Sequence, residues 1–541
     1  MAGIALLLAA AALAHALART LRASPVPILL VAGMAVGGLV PVDILDNALI
    51  LGVTFLLFVT GIDLDPGSLR GQARRAAWVG AVQFFVLGLL GLGTALGLGF
   101  DAETAAFLAL ALTASSTLVI VRLLRRRRQL YEPFARLVIG VLLVQDLLII
   151  AAVPVVTRAP AGPAAVGLGV LAIAGLIVLA LGTAHWVAPR LVRLDREDEP
   201  LLLAVLALLF AFLGAADLLG LPLMVGAFLA GVALARFPAD AVVRPQLVSI
   251  GDFFTAIFFT ALGAIIGIPT PGEAWHALVL AGVVILVTPP LVTWVAERTG
   301  LSARPAIEAG LLLAQTSELS LVIGLYALLA GRIDAGAFST IALVTLLTML
   351  LTPVVARDRV TWALLHRHPL RRPGRRQIPP PSGDHVLVLG AGTTGLPLVE
   401  TLFASGYEVV VVDDDPDTVA RLQEADVPSI RGDATDLAVL EEARARHARL
   451  ITSTIRRPED NRRILEHVGG VPALVRVFED DDAEWVRQLG GTPIVYSEAT
   501  AERVMAWYEE RMGAAGAPGP EPADPEPPGP EPGNPGPGAG S

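Results

Sequence analysis

Two residue types are missing from this 541-residue chain: it has no cysteine, and all 40 of its basic residues are arginine. Without cysteine there is no disulfide, thiol nucleophile or thiolate metal site. Without lysine there is no Schiff-base chemistry and no P-loop lysine. Charge is scarce as well. Only 17% of residues are charged against 54% hydrophobic, and the mean hydropathy of +0.66 is too high for a soluble protein of this size. The net charge of −10 argues against a nucleic-acid binder. The chain turns apolar at Gly3 with no basic stretch ahead and no small-residue cleavage site. That pattern reads as a retained first membrane span, not a signal peptide.

What the chain has instead is long apolar runs. They fall at about 3–19, 24–40, 45–62, 75–99, 103–124, 132–156, 163–188, 199–218, 222–236, 247–268, 272–297, 305–330 and 335–356, most of them long enough for a bilayer crossing of about 20 residues. Thirteen spans, an odd number, put the two ends of the membrane half on opposite sides. One set of alternate loops carries most of the arginine, including Arg70, Arg74, Arg75, Arg190, Arg193 and the run at 125–128. The other set carries Arg158 and Arg332 among acids such as Asp101, Asp217 and Glu273. By the positive-inside rule the N-terminus is outside and the C-terminal half cytoplasmic. The 125–128 run is then an orientation signal and a candidate lipid-headgroup contact.

Within the run at 137–156 stands Gln145-Asp146, a carboxylate at mid-span. An ionised acid at that depth costs several kcal/mol unless it faces a bundle interior or a wet cavity. A group that can release a proton and accept a cation is the minimum equipment of a proton-coupled transporter; the plainer reading is an acid bonded to a neighbouring helix for packing. Thirteen spans divide as six, a linker and six, which makes spans 5 and 12 partners. Both carry polar interruptions, Thr113-Ala114-Ser115-Ser116-Thr117 in one and Gln315-Thr316-Ser317-Glu318-Leu319-Ser320 in the other. Polar interruptions at matching places of two halves point to discontinuous helices at a midplane site, although Ser and Thr also serve as packing residues in membranes. The oxygens of Asp146, Gln145, Ser115, Ser116 and Thr117 suit a hard alkali cation. Glu318 is open between binding a cation, pairing with an arginine and capping a half-helix. Asp63, Asp65 and Asp252 read as helix caps, and His15 and His185 as structural.

Further stretches add to this: Phe55-Leu56-Leu57-Phe58-Val59-Thr60-Gly61-Ile62-Asp63-Leu64-Asp65-Pro66, Gly226-Ala227-Phe228-Leu229-Ala230-Gly231, Phe258-Phe259-Thr260-Ala261-Leu262-Gly263 and Leu313-Ala314-Gln315-Thr316-Ser317-Glu318. Together with Ser115-Ser116-Thr117 and Gln145-Asp146 they resemble the second cation:proton antiporter family in its Kef-type branch. The resemblance implies a sodium/proton exchanger domain with inverted repeats and crossing broken helices, acting as a secondary transporter and not an enzyme. It favours K+ over Na+ as the substrate exchanged for H+. Electrogenic relatives carry two adjacent acids where this chain has Gln145-Asp146. One carboxylate beside a neutral amide holds one proton or one monovalent cation, which predicts electroneutral one-for-one exchange. Many relatives also place a lysine near the position of Thr288, absent here.

After the last span, 357–383 is rich in Arg and Pro and reads as a semi-rigid linker. A buried strand at 385–389 then runs into Gly390-Ala391-Gly392-Thr393-Thr394-Gly395 and a helix, and a second strand at 408–412 ends in Asp413. Strand, glycine loop, helix and terminal acid together are a strong dinucleotide-fold signal. Gly390, Gly392, Thr393, Thr394 and Gly395 would cradle a pyrophosphate at the helix N-terminus, and Asp413 would bond a ribose. Further strands near 427–430, 450–453, 473–478 and 493–496 complete a parallel sheet. With Gly432-Asp433-Ala434-Thr435 this part resembles the RCK or TrkA-N regulatory domain. That implies a homodimer and an adenine nucleotide, NAD(H) or AMP/ATP in type, bound near Asp433 and Ala434 as a regulator, with no redox cofactor and no structural metal.

The expected protein is a multi-pass α-helical membrane protein of about 13 spans plus an α/β Rossmann-like cytoplasmic domain, in the bacterial inner membrane among its lipids. Its parts are a transport domain at 1–356, the linker, the nucleotide-binding domain at 384–512 and a disordered Pro/Gly/Glu tail at 513–541. A ligand-gated, channel-like K+ efflux system and a membrane-anchored nucleotide sensor are the alternatives.

Overall fold

The computed structural model describes residues 2–21, 24–62, 72–127, 129–130, 132–191, 198–235, 239–266, 269–367, 384–392, 394–478, 480–495, 501 and 505–508. Asp63, Asp65, Thr393, the proline-rich part of the linker and the tail at 513–541 lie outside them. The described chain separates into a helical unit and a sheet unit.

The helical unit opens with α1 (Ala2–Thr20), α2 (Pro25–Val36), α3 (Val42–Ile62), α4 (Ala73–Gly97), α5 (Ala102–Ala111), α6 (Thr117–Arg126) and α7 (Pro133–Arg158). A linker helix α8 (Pro163–Gly182) passes through a π-turn at Thr183–Val187 into the short α9 (Ala188–Leu191). Then follow α10 (Asp198–Leu218), α11 (Leu223–Leu234), α12 (Ala239–Ile266), α13 (Pro271–Arg298), α14 (Ala303–Leu313), α15 (Glu318–Leu329) and α16 (Ala335–Val355). Helix occupies every one of the thirteen expected runs. Among the described residues eight helical stretches are long and apolar enough to cross a membrane, and shorter apolar helices stand at runs 2, 3, 5, 9 and 10. The count of thirteen spans is therefore matched in position and only partly in length.

The packing obeys the six-plus-six division. Exchanging α1, α2, α3, α4, α5/α6 and α7 with α10, α11, α12, α13, α14/α15 and α16 turns each major contact into another: α2 on α12 becomes α11 on α3, α1 on α2 becomes α10 on α11, and α4 on α7 becomes α13 on α16. Two of the family-like stretches explain themselves here. A Cβ on Gly263 would meet Leu30 O at 2.1 Å, and one on Gly231 would meet Phe58 O at 2.1 Å. The backbones of α2 with α12 and of α3 with α11 touch where only hydrogen fits, since apolar helices in lipid associate by close packing rather than by water exclusion.

Two expectations change. Asp252 lies well inside α12 and caps nothing. The linker begins as a helix, α17 (Asp358–Arg367). His15 and His185 are exposed on the bundle surface.

The sheet unit is built from β1 (Val386–Leu389), α18 (Gly395–Ala404), β2 (Val409–Asp413), α19 (Pro416–Glu424), β3 (Ser429–Arg431), α20 (Leu437–Glu442), β4 (Leu450–Ser453), α21 (Pro458–Val468), β5 (Ala473–Val477), α22 (Asp480–Gln488) and β6 (Thr492–Val495). Strand order is β3-β2-β1-β4-β5-β6. β1 pairs in parallel with both β2 and β4, as β5 does with β4 and β6. That is the doubly wound dinucleotide fold, with its reversal of strand order between β1 and β4.

Candidate functional site

Spans 5 and 12 are both broken. The gap between α5 and α6 holds residues 112–116, and that between α14 and α15 holds 314–317. A helix end left in an apolar interior exposes backbone groups that must find partners. Each gap borrows them from the other. Ser115 Oγ donates to Leu313 O, the last carbonyl of α14, at 2.8 Å, and Ser320 Oγ donates to Ala111 O, the last of α5. The two breaks thus cross and brace each other, and Ser115, Ser116, Ser317 and Ser320 are all at most 1% exposed.

The N-terminus of α6 is where the acids meet. Ser116 is its N-cap, with Oγ accepting from Val119 N at 3.2 Å. Thr117 Oγ1 donates to Asp146 Oδ2 at 3.4 Å, and Leu118 N donates to Glu318 Oε1 at 3.5 Å. Asp146 on α7 and Glu318 on α15 are 2% and 1% exposed. Asp146 Oδ1 and Glu318 Oε2 have no hydrogen-bond partner among the described residues. Buried oxygens of this kind are costly unless something else occupies them.

The cap of α15 is Ser317, whose Oγ accepts from Leu319 N at 3.1 Å in a capping box with Ser320. Glu318 is therefore released from capping its own helix and turns to α6. Gln145 sits beside Asp146, fully buried, with Oε1 accepting from Ser115 N at 3.1 Å. It braces the broken backbone as well as standing next to the acid. The structure brings together Asp146, Gln145, Ser115, Ser116, Thr117 and Glu318. Sequence reasoning missed Gln83 of α4, 1% exposed, whose Nε2 reaches Ser115 Oγ at 3.5 Å. A buried amide in an apolar helix was its available signal.

The sheet unit holds the second candidate site, at the C-terminal edge of β1. Gly390 takes φ +85°, and a Cβ on Gly395 would meet Gly390 O at 2.1 Å, so the loop turns tightly under the start of α18. Gly392 faces open space. Asp413 Oδ2 accepts from Ala391 N at 2.5 Å, so the acid ties down the glycine loop from the end of β2. Thr454 Oγ1 donates to Gly390 O at 2.8 Å, and Arg476 Nη1 to Thr394 Oγ1 at 2.7 Å. Arg476, a cation at the loop, was not singled out from sequence because 82 residues separate it from Thr394. Asp433 and Ala434 follow β3, the neighbour of β2.

The family model described as sodium/hydrogen exchanger, transmembrane, matches residues 5–357, and the TrkA-N domain model matches 386–504. The glutathione-regulated potassium-efflux system protein KefC of Salmonella schwarzengrund is 29% identical over 460 residues, 81% of this chain and 73% of the relative. Its namesake from Klebsiella pneumoniae is 28% identical over 460 residues, 81% of this chain and 72% of that one. Among solved structures, the TrkA-N domain of inner membrane protein ybaL from Escherichia coli is 22% identical with a TM-score of 0.22, covering 23% of this chain and 96% of that one.

Proposed function

This chain belongs to the sodium/hydrogen exchanger family, and from that premise we propose that it exchanges a monovalent cation, K+ in preference to Na+, for H+ across a bacterial inner membrane. Asp146 binds the two in turn. One observation carries the reading: two buried carboxylates, Asp146 and Glu318, each with an oxygen left unpartnered at the N-terminus of a broken helix. The helix end supplies partial positive charge to whichever carboxylate is ionised, and Gln145, Thr117 and the unpartnered oxygens supply a ligand set suited to a hard cation.

With Glu318 beside Asp146, the single-acid count made from sequence is incomplete. Exchange stays electroneutral if the pair keeps one proton throughout and trades the other for one cation. Two buried carboxylates gathered at one helix end in a low dielectric favour that shared state. The test is cation-driven proton movement in vesicles at zero potential. Asp146→Asn should abolish it, and an imposed voltage should leave the wild-type rate unchanged. A voltage-dependent rate would refute one-for-one exchange, and a steady current without proton movement would mark a channel.

The assignment extends to 1–356 as the transport domain, with its N-terminus outside, and to a cytoplasmic 384–512 domain that dimerises and binds an adenine nucleotide at Gly390, Gly392, Thr394 and Gly395. Asp413 and Arg476 stand ready at the loop for ribose and phosphate. Gly392→Val should weaken nucleotide binding and the response of transport to nucleotide, while basal exchange persists. Unchanged binding would remove the nucleotide from this loop.

A further inference from the structure

The second break has a support of its own. Thr345, Thr348 and Thr352 stand on one face of α16, each at most 2% exposed within an apolar bundle. Thr345 and Thr348 send their hydroxyl protons back along their own helix, to Ile341 O and to Val344 O at 2.9 Å each, while Thr352 Oγ1 faces two acceptors, Thr348 O at 2.7 Å and Gln315 Oε1 at 3.2 Å. A hydroxyl has one proton and two lone pairs, so the oxygens of Thr345 and Thr348 remain as acceptors directed at the gap between α14 and α15. Both are used by one residue. Thr316 N donates to Thr348 Oγ1 at 3.1 Å, and Thr316 Oγ1 donates to Thr345 Oγ1 at 3.1 Å.

The first break meets the same need differently. There the backbone donor is Ser115 N and the acceptor is Gln145 Oε1 on α7, 30 residues on; at the second break acceptor follows donor by 32 residues. α7 and α16 are counterparts under the exchange of repeats, so Thr348 does for the second gap what Gln145 does for the first.

We propose that Thr348, backed by Thr345, is a positioning residue of the transport site. By holding Thr316 it sets where α15 begins, and Glu318 is the first residue of α15. Glu318 needs that support, because its own link to α6 is the long 3.5 Å contact with Leu118 N. Valine fills the volume of Thr348 but accepts nothing. Thr316 N–H would then be buried without a partner, and the gap would rearrange to find one, carrying Glu318 away from Asp146. Serine keeps the oxygen. The inference rests on the reading of Asp146 and Glu318 as the cation site.

The experiment uses the full chain in vesicles, with cation titrated against a fixed pH gradient. Thr348→Val should raise the half-saturating cation concentration about tenfold with the maximal rate within about twofold, and Thr348→Ser should stay within about twofold on both. Thr345→Val should shift half-saturation the same way by about threefold, and it decides the matter if Thr348→Val does not reach the membrane. An unchanged half-saturation in a folded valine variant overturns the proposal, as does a serine variant as impaired as the valine one. Protection by K+ or Na+ against thermal unfolding in detergent, read on the same variants, separates this from the exchange mechanism. If Asp146→Asn still exchanges, the mechanism fails; protection lost with Thr348→Val and kept with Thr348→Ser still supports positioning.

Discussion

The two breaks are related by the repeat and differ in what faces them. At the first, α7 presents Gln145 and Asp146; at the second, α16 presents Thr345 and Thr348. The backbone problem is the same in both places, an N–H stranded in an apolar bundle, and each side solves it with one side-chain acceptor. What the first has in addition is charge. The repeat gives a symmetric frame, and the acids are concentrated on one side of it: both gather at the N-terminus of α6, since Glu318 reaches across from the second break.

The largest test of that contrast is to erase it. Asp146→Thr would leave hydroxyls at both breaks, and cation-driven proton flux in vesicles should fall to background with the protein still folded. Residual flux above a tenth of wild type would mean the acid is not the shared binding group. Glu318→Gln is expected to be milder. The amide keeps an oxygen ligand but loses the charge, so half-saturation for the cation should rise about tenfold, measured by titration in the same vesicles. Equal losses from Glu318→Gln and Asp146→Asn would make the two acids equivalent and sharpen the asymmetry into a true pair.

Ser115→Ala and Ser320→Ala remove the two reciprocal braces. Each should lower stability by about 1 kcal/mol, the usual worth of a buried hydrogen bond, read as a shift of thermal unfolding midpoint in detergent. The comparison predicts similar shifts, and a brace that matters on one side only would break it. The smallest effect lies outside both breaks. His385, buried at the start of β1 with Nε2 against Ala443 O at 3.0 Å, titrates below its ordinary 6.5 because burial disfavours the cation. A depressed base favours the neutral folded form. Its full stability is present above about pH 6.5, the unfolded value, and is lost as pH falls towards the folded one, because only the unfolded chain takes up the proton. Acid should therefore lower the amide protection factors of the sheet unit, each taken against the intrinsic exchange rate at that pH, and His385→Asn should flatten that trend.

Much of this was legible in the chain itself. Asp146 stands out because a carboxylate in an apolar run has few excuses, and the two polar interruptions stand out because they recur at matching places. The glycine loop declared itself through its strand and helix neighbours. Threonine carries no such signal. It occurs throughout apolar helices bonded to its own backbone, so the face of Thr345, Thr348 and Thr352 looks like packing until the gap opposite it is seen. Asp252 misled in the other direction, because an acid near the start of an apolar run need not be near the start of its helix.

The sequence by itself determined where the chain is apolar, where that is interrupted, and which glycine loop turns tightly between a strand and a helix, all properties of neighbouring residues. Only the tertiary structure decided that Glu318 turns from its own helix to α6, that Ser115 and Ser320 cap each other's helices, and that Arg476 and Asp413 converge on one loop. Those are choices among partners far apart in the chain, and they follow from which buried polar groups the packing leaves unsatisfied.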